Sequence, residues 1–189
     1  MEQIVRNIIE AEGWSIVSDK SDYIELQIFS PAGEDCSPMF WVEGENNING
    51  LLSSLNHYIE YYDIDNEVYI WLDNSGHGMD GAPYHIEDIL NDKKWFLNKL
   101  KELKDELECF GYPPEKSEMH YGTHGTSEEW KVASKGEWGL YRWIHRSRYN
   151  GERTTWYGIR KLSGKKFFGE QFYSLEKAKK AFRDKTKEQ

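Results

Sequence analysis

The residues of this 189-residue chain that come closest to a catalytic grouping lie in its most glycine-dense run, 74–81. His77 and Asp80 stand in that run, and a histidine beside a carboxylate could serve as an acid and base pair. The spacing, however, matches neither a phosphate-binding loop nor a nucleophile elbow. The composition therefore favours a mobile surface loop over a catalytic one.

Two further histidines, His120 and His124, are four residues apart, the spacing of a pair of metal ligands on a helix. Gly122 lies between them and disfavours a rigid helix, and no glutamate of an HExxH motif accompanies them. We therefore predict no metal site here. An enzyme that uses His77 or the His120 and His124 pair is the least favoured hypothesis.

Three carboxylates alternate at Asp63, Asp65 and Glu67, as ligands of a calcium loop do. The glycine and the terminal glutamate of such a loop are missing, so a helix-capping turn is favoured. Cys36 and Cys109 are too few for a disulfide framework or a four-cysteine zinc site and are predicted to be buried structural residues. We predict no catalytic residues, no metal and no cofactor.

The composition is that of a folded protein, because aromatic residues reach 15% although apolar residues make up only 38% and the mean hydropathy is −0.82. The sequence shows no apolar run of membrane-spanning length and no secretory signal. We therefore expect a cytoplasmic protein without membrane partners.

The net charge of −9 is unevenly distributed along the chain. Residues 1–128 hold 8 basic and 26 acidic residues, a charge of −18, whereas residues 129–189 hold 16 basic and 7 acidic residues, a charge of +9. Such a reversal predicts two domains with opposite fields. The predicted boundaries are an acidic α+β domain at 1–110, a turn-rich linker at 111–128 and a basic domain at 129–189.

The acidic half combines helical and strand patterns. Its predicted elements are a helix at 4–9, a strand at 14–17, a β-hairpin formed by 23–29 and 39–43, a helix at 51–62 and a helix at 86–109. These elements make the fold class α+β.

The sequence pattern of the basic half predicts three strands followed by a helix. The strands are 139–149, 153–161 and 166–173, with an Asn150-Gly151 hairpin turn between the first two, and the helix begins after Ser174. This order predicts a small β-β-β-α domain.

Alternation along the first of these strands places Leu140, Arg142, Ile144, Arg146 and Arg148 on one face of the sheet. The opposite face carries the aromatic residues of that strand. Either face could be the exposed one, with the arginines on phosphates or the aromatic rings on bases.

A third arrangement is equally consistent with the pattern. The aromatic residues Tyr141 and Trp143 would then pack on Leu175 and Phe182 of the final helix, and the arginines would lie along the surface or pair with the acidic half.

Nucleic acid is the predicted ligand of the basic half. The candidate nucleic-acid-binding residues are Arg142, Trp143, Arg146, Arg148, Arg153, Arg160, Lys161, Lys165 and Lys166.

Carboxylates of the acidic half could imitate a phosphate backbone and bind a basic groove, although charged surfaces also serve solubility alone. The candidate partner-binding residues are Glu34, Asp35, Glu43, Glu45, Asp63, Asp65 and Glu67.

Several motifs of the acidic half resemble those of small accessory proteins from phages and conjugative elements of Firmicutes. They are the stretches 30–35 (SPAGED), 62–72 (YDIDNEVYIWL) and 81–83 (GAP). The resemblance covers roughly residues 1–108. It implies a mobile-element protein acting in a host bacterial cell, and such genes often encode antagonists of host defence, here an anti-CRISPR protein directed at a Cas9-type nuclease.

The β-β-β-α order of the basic half is similar to the three-stranded DNA-binding modules of phage integrase arms and AP2-type domains. Those families read DNA with side chains on the sheet, so the resemblance implies that this half contacts DNA through its sheet.

Two functions follow as hypotheses. The first is a non-enzymatic inhibitor that binds a host nucleic-acid enzyme, and the alternative is a DNA- or RNA-binding regulator that acts through the basic half. Exposed aromatic residues are also compatible with a homodimer.

Overall fold

The structure, a computed structural model, describes residues 1–42, 48–73, 85–164 and 167–187. The chain divides into two compact units, Met1–Gly111 and Tyr112–Gln189. We call them the acidic unit and the basic unit, because the first holds 7 basic and 23 acidic residues, a charge of −16, and the second holds 17 basic and 10 acidic residues, a charge of +7.

The acidic unit contains four helices and a small antiparallel sheet within the described residues. The helices are α1 (Gln3–Ala11), α2 (Ile48–Tyr61), α3 (Ile64–Asp73) and α4 (Ile86–Phe110), and the strands are β1 (Ser15–Asp19), β2 (Tyr23–Phe29), β3 (Asp35–Cys36) and β4 (Met39–Trp41). Strand β2 pairs with β1, β3 and β4, so the predicted hairpin between 23–29 and 39–43 is confirmed.

The core of this unit includes the apolar stripe of α4 and the inner face of β2, and α4 contacts α1, α2 and α3. Ile24, Leu26 and Ile28 alternate along β2 and are buried. The three- and four-residue spacing of apolar residues on α4 gives it a continuous buried stripe, as an amphipathic helix requires. The buried apolar residues of that stripe are Ile89, Phe96, Leu100, Leu103, Leu107 and Phe110.

Within its described residues, the basic unit is an antiparallel sheet of five strands followed by one helix. The elements are β5 (Glu115–Gly122), β6 (Gly125–Lys135), β7 (Trp138–Ser147), β8 (Arg153–Lys161), β9 (Phe167–Phe172) and α5 (Leu175–Lys187). The strands follow one another in the sheet in chain order, β5-β6-β7-β8-β9.

Two predictions about the basic half are wrong. The segment 111–128 is not a linker, because it contains all of β5 and the first residues of β6, and the sheet consequently has five strands rather than three. Every residue of β5 is exposed, so this strand has no buried face and shows no apolar alternation in the sequence. The turn-rich stretch 121–127 is the hairpin between β5 and β6.

The α+β fold class is confirmed by the mixture of helices and two antiparallel sheets. Strand β8 has the predicted bounds, and α4 and α5 lie where helical spacing placed them.

Candidate nucleic-acid interface

One face of the basic unit's sheet carries the side chains of Leu140, Arg142, Ile144 and Arg146 along β7, and we call it the arginine face. Trp138 begins the same alternation, and Lys185 of α5 places its Nζ 5.2 Å from the centre of the Trp138 ring. Helix α5 therefore lies on the arginine face, at its Trp138 and Leu140 end.

The apolar residues at that end explain why the helix packs there. Leu140 lies opposite Ile159 on β8, both are buried, and Ala178 and Phe182 of α5 are completely buried as well. The arrangement in which Tyr141 and Trp143 pack on the final helix is wrong, since these two residues point to the opposite face.

The other end of the arginine face is formed by one row of side chains across four strands. Tyr121 pairs with Thr126, Thr126 with Arg146, and Arg146 with Arg153, so the four lie side by side from β5 to β8. We call these four residues the outer row. Tyr121, Arg146 and Arg153 are exposed, and Arg148, which follows β7, is exposed as well.

Arg146 and Arg153 are thus directly opposite each other on neighbouring strands. Among the described residues, no carboxylate forms an ion pair with Arg146, Arg148 or Arg153. Like charges at directly opposed positions destabilise a sheet, so the repulsion between these two arginines opposes folding.

Trp130 lies between the helix-covered end and the outer row, and it pairs with Lys116 on one side and with Arg142 on the other. The Nζ of Lys116 and the guanidinium carbon of Arg142 each lie 5.6 Å from a Trp130 ring centre, so the half-buried Arg142 is engaged with the sheet.

The carboxylate of Glu128 accompanies these cations on the arginine face. It accepts a hydrogen bond of 3.3 Å from Trp130 Nε1 and lies 3.5 Å from Lys116 Nζ. The indole hydrogen bond, with the nearby charges of Lys116 and Arg153, holds the pKa of Glu128 below its usual value. The carboxylate therefore remains charged near neutral pH.

On the opposite face, Arg160 has a structural environment. It donates a hydrogen bond of 2.7 Å to Glu129, and its guanidinium lies 3.9 Å from the centre of the Tyr141 ring. The Arg160 side chain is only 13% exposed and the Glu129 side chain 0%. The geometry does not support Arg160 as a nucleic-acid ligand, because its guanidinium is already bound inside the sheet surface.

Trp143 lies on this opposite face too, in a stack of rings. Its ring lies 5.3 Å from Trp156 at an interplanar angle of 8°, and 4.8 Å from His120 at 15°. Trp143 is half-buried and points away from the outer row. It therefore does not act together with Arg146.

The remaining basic candidates divide between a surface ion pair and undescribed positions. Lys161 pairs with Glu137 at 2.8 Å and lies over Trp138. Lys165 and Lys166 lie outside the described residues. The basic candidates that the structure brings together are Arg146, Arg148 and Arg153.

Of the acidic candidates, Glu34 and Glu67 surround one lysine. Lys93 Nζ lies 2.5 Å from Glu34 and 3.8 Å from Glu67, and the Lys93 and Glu34 side chains are nearly buried. Lys93 and its neighbour Asp92 occupy buried positions in the apolar spacing of α4, a sequence signal that marks Lys93 as a buried charge but does not identify its partner.

The other acidic candidates have local roles or lie outside the described residues. Asp63 accepts hydrogen bonds from the amides of Asp65 (3.0 Å) and Asn66 (3.2 Å), so the predicted helix-capping turn is confirmed. Asp35 accepts hydrogen bonds from Gln27 (2.9 Å) and Ser37 (2.7 Å). Glu43 and Glu45 fall in the undescribed segment 43–47.

His120 and His124 have separate contacts. His120 stacks on Trp143 and lies 3.2 Å from Glu118, while the Nδ1 of His124, in the β5–β6 turn, lies 3.4 Å from the Tyr149 hydroxyl. His77 lies outside the described residues. Within the described part of the chain, no group of three or more histidine, cysteine or acidic side chains could hold a metal ion.

In the acidic unit, Cys36 and Cys109 are both buried, and they form no disulfide. Burial, followed by the charge of Glu34, raises the pKa of Cys36 to about 12. The Cys36 thiol is therefore protonated near neutral pH and is a poor nucleophile.

Comparisons with protein-family models, curated proteins and solved structures found no match for this chain. The resemblances to mobile-element proteins and to three-stranded DNA-binding modules therefore stay predictions. None of the described helices is long and apolar enough to cross a membrane.

Proposed function

We propose that the basic unit binds nucleic acid through the open end of its arginine face. The observation that carries this proposal is the opposition of Arg146 and Arg153 across β7 and β8, with no carboxylate in an ion pair with either one in the described part of the chain. A phosphate between two such guanidiniums would replace their repulsion by two charge-assisted hydrogen bonds.

The surroundings of the outer row support this assignment. Arg148 adds a third exposed cation where β7 ends, and the unit as a whole carries a charge of +7. Phosphate contacts by arginine and lysine supply most of the affinity of non-specific nucleic-acid binding and make it sensitive to salt. The sheet holds Arg146 and Arg153 by backbone pairing, so little conformational entropy of the backbone is lost on binding.

The test is fluorescence anisotropy of labelled oligonucleotides with the full-length chain at low salt. The variant Arg146→Ala/Arg153→Ala should weaken binding and flatten its salt dependence, because two phosphate contacts are lost. The matched control is Lys20→Ala/Lys101→Ala, which removes two exposed positive charges from the acidic unit and should leave the affinity nearly unchanged. Equal affinity of the wild type and the arginine variant would show that the outer row is not the interface.

A second candidate function, inhibition of a basic nucleic-acid enzyme, has its own observation in the acidic unit. Trp41 of β4 is 61% exposed and lies edge-on to Tyr23 of β2 at 5.9 Å, with Met39 exposed on the same strand. Glu25 pairs with Met39 on this outer face of the sheet. An exposed tryptophan on the outer face of an acidic unit is suited to serve as a binding hot spot for a basic protein surface.

The charge of −16 on this unit would attract the positively charged groove of a Cas9-type nuclease. Full-length protein should be retained on an immobilised Cas9–guide complex and should reduce cleavage, and Trp41→Ala should lose both effects. Tyr69→Ala, which removes an equally exposed aromatic ring from α3, is the control. Absence of retention together with undiminished cleavage would eliminate this candidate for that nuclease.

A further inference from the structure

The outer row contains a hollow between Tyr121 and Arg146. These residues lie two strands apart, about 9 to 10 Å at the usual strand spacing, and the residue between them, Thr126, is too small to fill the gap. The hollow has a volume of about 420 Å³. This lies within the range of roughly 300 to 1,000 Å³ that small-ligand pockets occupy.

The walls of the hollow are held in place by the β5–β6 hairpin. Gly125 has a φ of 152°, and a Cβ at this position would overlap the carbonyl oxygen of Arg146, so only glycine lets the hairpin approach β7 this closely. The amide of Arg148 donates a hydrogen bond of 2.9 Å to the carbonyl of His124. The distance between the Tyr121 wall and the arginine wall is therefore set by the backbone.

The two walls differ in chemistry. Tyr121 is 78% exposed, and its hydroxyl lies 3.3 Å from the Met119 sulfur, so the ring runs along β5 at the border of the hollow. The opposite wall carries the cations Arg146 and Arg148. An aromatic ring and two guanidiniums on either side of a small open pocket match the two parts of a nucleotide, a flat base and an anionic phosphate.

A base can enter such a pocket only when it is free of its neighbours. In a duplex the bases are paired and stacked, and a side chain reaches only their edges through the grooves. In a single strand a base can turn outward and stack on an aromatic side chain, with little dependence on sequence.

We infer that the hollow over Thr126 binds one unpaired nucleotide of a single-stranded nucleic acid, with the base stacked on Tyr121 and the adjoining phosphate bound by Arg146 and Arg148. This inference rests on the proposed function and specifies its ligand. Single-stranded DNA and single-stranded RNA share this chemistry.

The experiment measures the affinity of the full-length chain for labelled oligonucleotides of about 12 nucleotides, a length within the usual site size. The probes are oligothymidine, oligouridine and a DNA duplex of the same length, all at low salt. The wild type should bind both single strands more tightly than the duplex. A large preference for one of the single strands would identify its source as DNA or RNA.

Two kinds of variant test the hollow without touching the arginines. Tyr121→Ala should weaken single-strand binding roughly tenfold and leave duplex binding unchanged, whereas Tyr121→Phe should retain binding because the ring remains. Thr126→Phe fills the hollow and should cause the same loss. Its matched control is Thr154→Phe, at an exposed position of β8 on the opposite face, and circular dichroism checks that both variants fold.

The outcomes separate this inference from the proposed function. If Tyr121→Ala and Thr126→Phe bind single strands like the wild type while Arg146→Ala weakens binding, the nucleotide pocket is refuted and the arginine interface stands. A loss of duplex binding equal to that of single-strand binding in Tyr121→Ala also refutes the single-strand assignment. If the wild type binds none of the probes at low salt, both proposals fail.

Discussion

Arg160 donates a hydrogen bond of 2.7 Å to Glu129, and the carboxylate that it reaches is completely buried. Ser117 of β5 donates to the same oxygen at 2.6 Å. The pair thus joins β8 to β6 on the face opposite the arginine face and ties the edge strand β5 to both. Arg160, which the sequence assigns to nucleic-acid binding, therefore neutralises the buried carboxylate of Glu129.

Replacing Arg160 by methionine should destabilise the basic unit by about 3 to 5 kcal/mol, because the buried Glu129 would lose its counter-charge. The neighbouring Lys161 provides the control, since its ion pair with Glu137 is partly exposed on both sides. Lys161→Met should cost about 1 kcal/mol or less. Urea unfolding of the two full-length variants measures the difference, and equal losses would mean that the buried pair contributes no more than a surface pair.

Relief of the repulsion between Arg146 and Arg153 should stabilise the fold. Arg153→Thr places a strand-forming residue opposite Arg146 and should raise the free energy of unfolding by about 0.2 to 1 kcal/mol, with a larger gain at low salt. Arg148→Thr, beyond the end of β7, should change stability little. The same Arg153 variant should bind nucleic acid more weakly, so thermal melting and anisotropy should move in opposite directions. A loss of stability in Arg153→Thr would contradict the strained like-charge pair.

Neutralising Glu128 should tighten nucleic-acid binding. Its pKa is lowered, first by the hydrogen bond from Trp130, so at neutral pH it places a negative charge on the arginine face that repels phosphate. Glu128→Gln keeps the shape of the side chain and should improve affinity about two- to fivefold at low salt, with a smaller gain at higher salt.

The control for this prediction is Glu118→Gln, which removes an exposed carboxylate from β5 on the opposite face. Anisotropy titrations compare the two variants. An equal gain from both would mean that overall charge, rather than the position of Glu128, controls binding.

The acidic unit should lose stability in alkali. Burial raises the pKa of Cys36 from 9.0 to about 12, and burial with the charge of Glu67 raises that of Tyr58 from 10.0 to about 12. The unfolded chain releases these protons first, so above about pH 9 the native state holds more protons and its free energy of unfolding falls until about pH 12.

Each such group adds at most about 1.4 kcal/mol per pH unit to this fall. Urea unfolding at a series of pH values between these limits should show a smaller slope for Cys36→Ala and for Tyr58→Phe than for the wild type, whatever their stability at neutral pH. An unchanged slope in both variants would exclude these groups as its source.

The elements that the sequence predicts are those whose packing leaves a periodic trace. Helix α4 buries one stripe, β2 buries alternate residues, and Asp63 caps α3 with its own side chain, so each pattern is readable locally. Strand β5 buries nothing and owes its existence to backbone pairing with β6. Its residues therefore have the pattern of a linker. The predicted number of strands is two too low, because β6 is missed together with β5.

The contacts of the charged candidate residues also leave no pattern in the sequence. Glu34, Asp35 and Arg160 are charged residues in charged stretches, and nothing nearby in the sequence reveals that they bind Lys93, Gln27 and Glu129. Sequence patterns do not identify Tyr121 and Thr126 as ligand-binding residues, because one exposed tyrosine and one small residue gain significance only when the register places them beside Arg146.

The uneven distribution of charge, the α+β class and the basic sheet can be derived from the sequence alone, because composition and periodicity are properties of the chain read in order. Which arginines are exposed to a ligand depends instead on how the strands pair. Arg160 faces a buried glutamate on a strand that sequence patterns leave undetected, whereas Arg146 and Arg153 face each other across β7 and β8. Both results depend on cross-strand register, which joins residues far apart in the chain and leaves no signal in either segment alone.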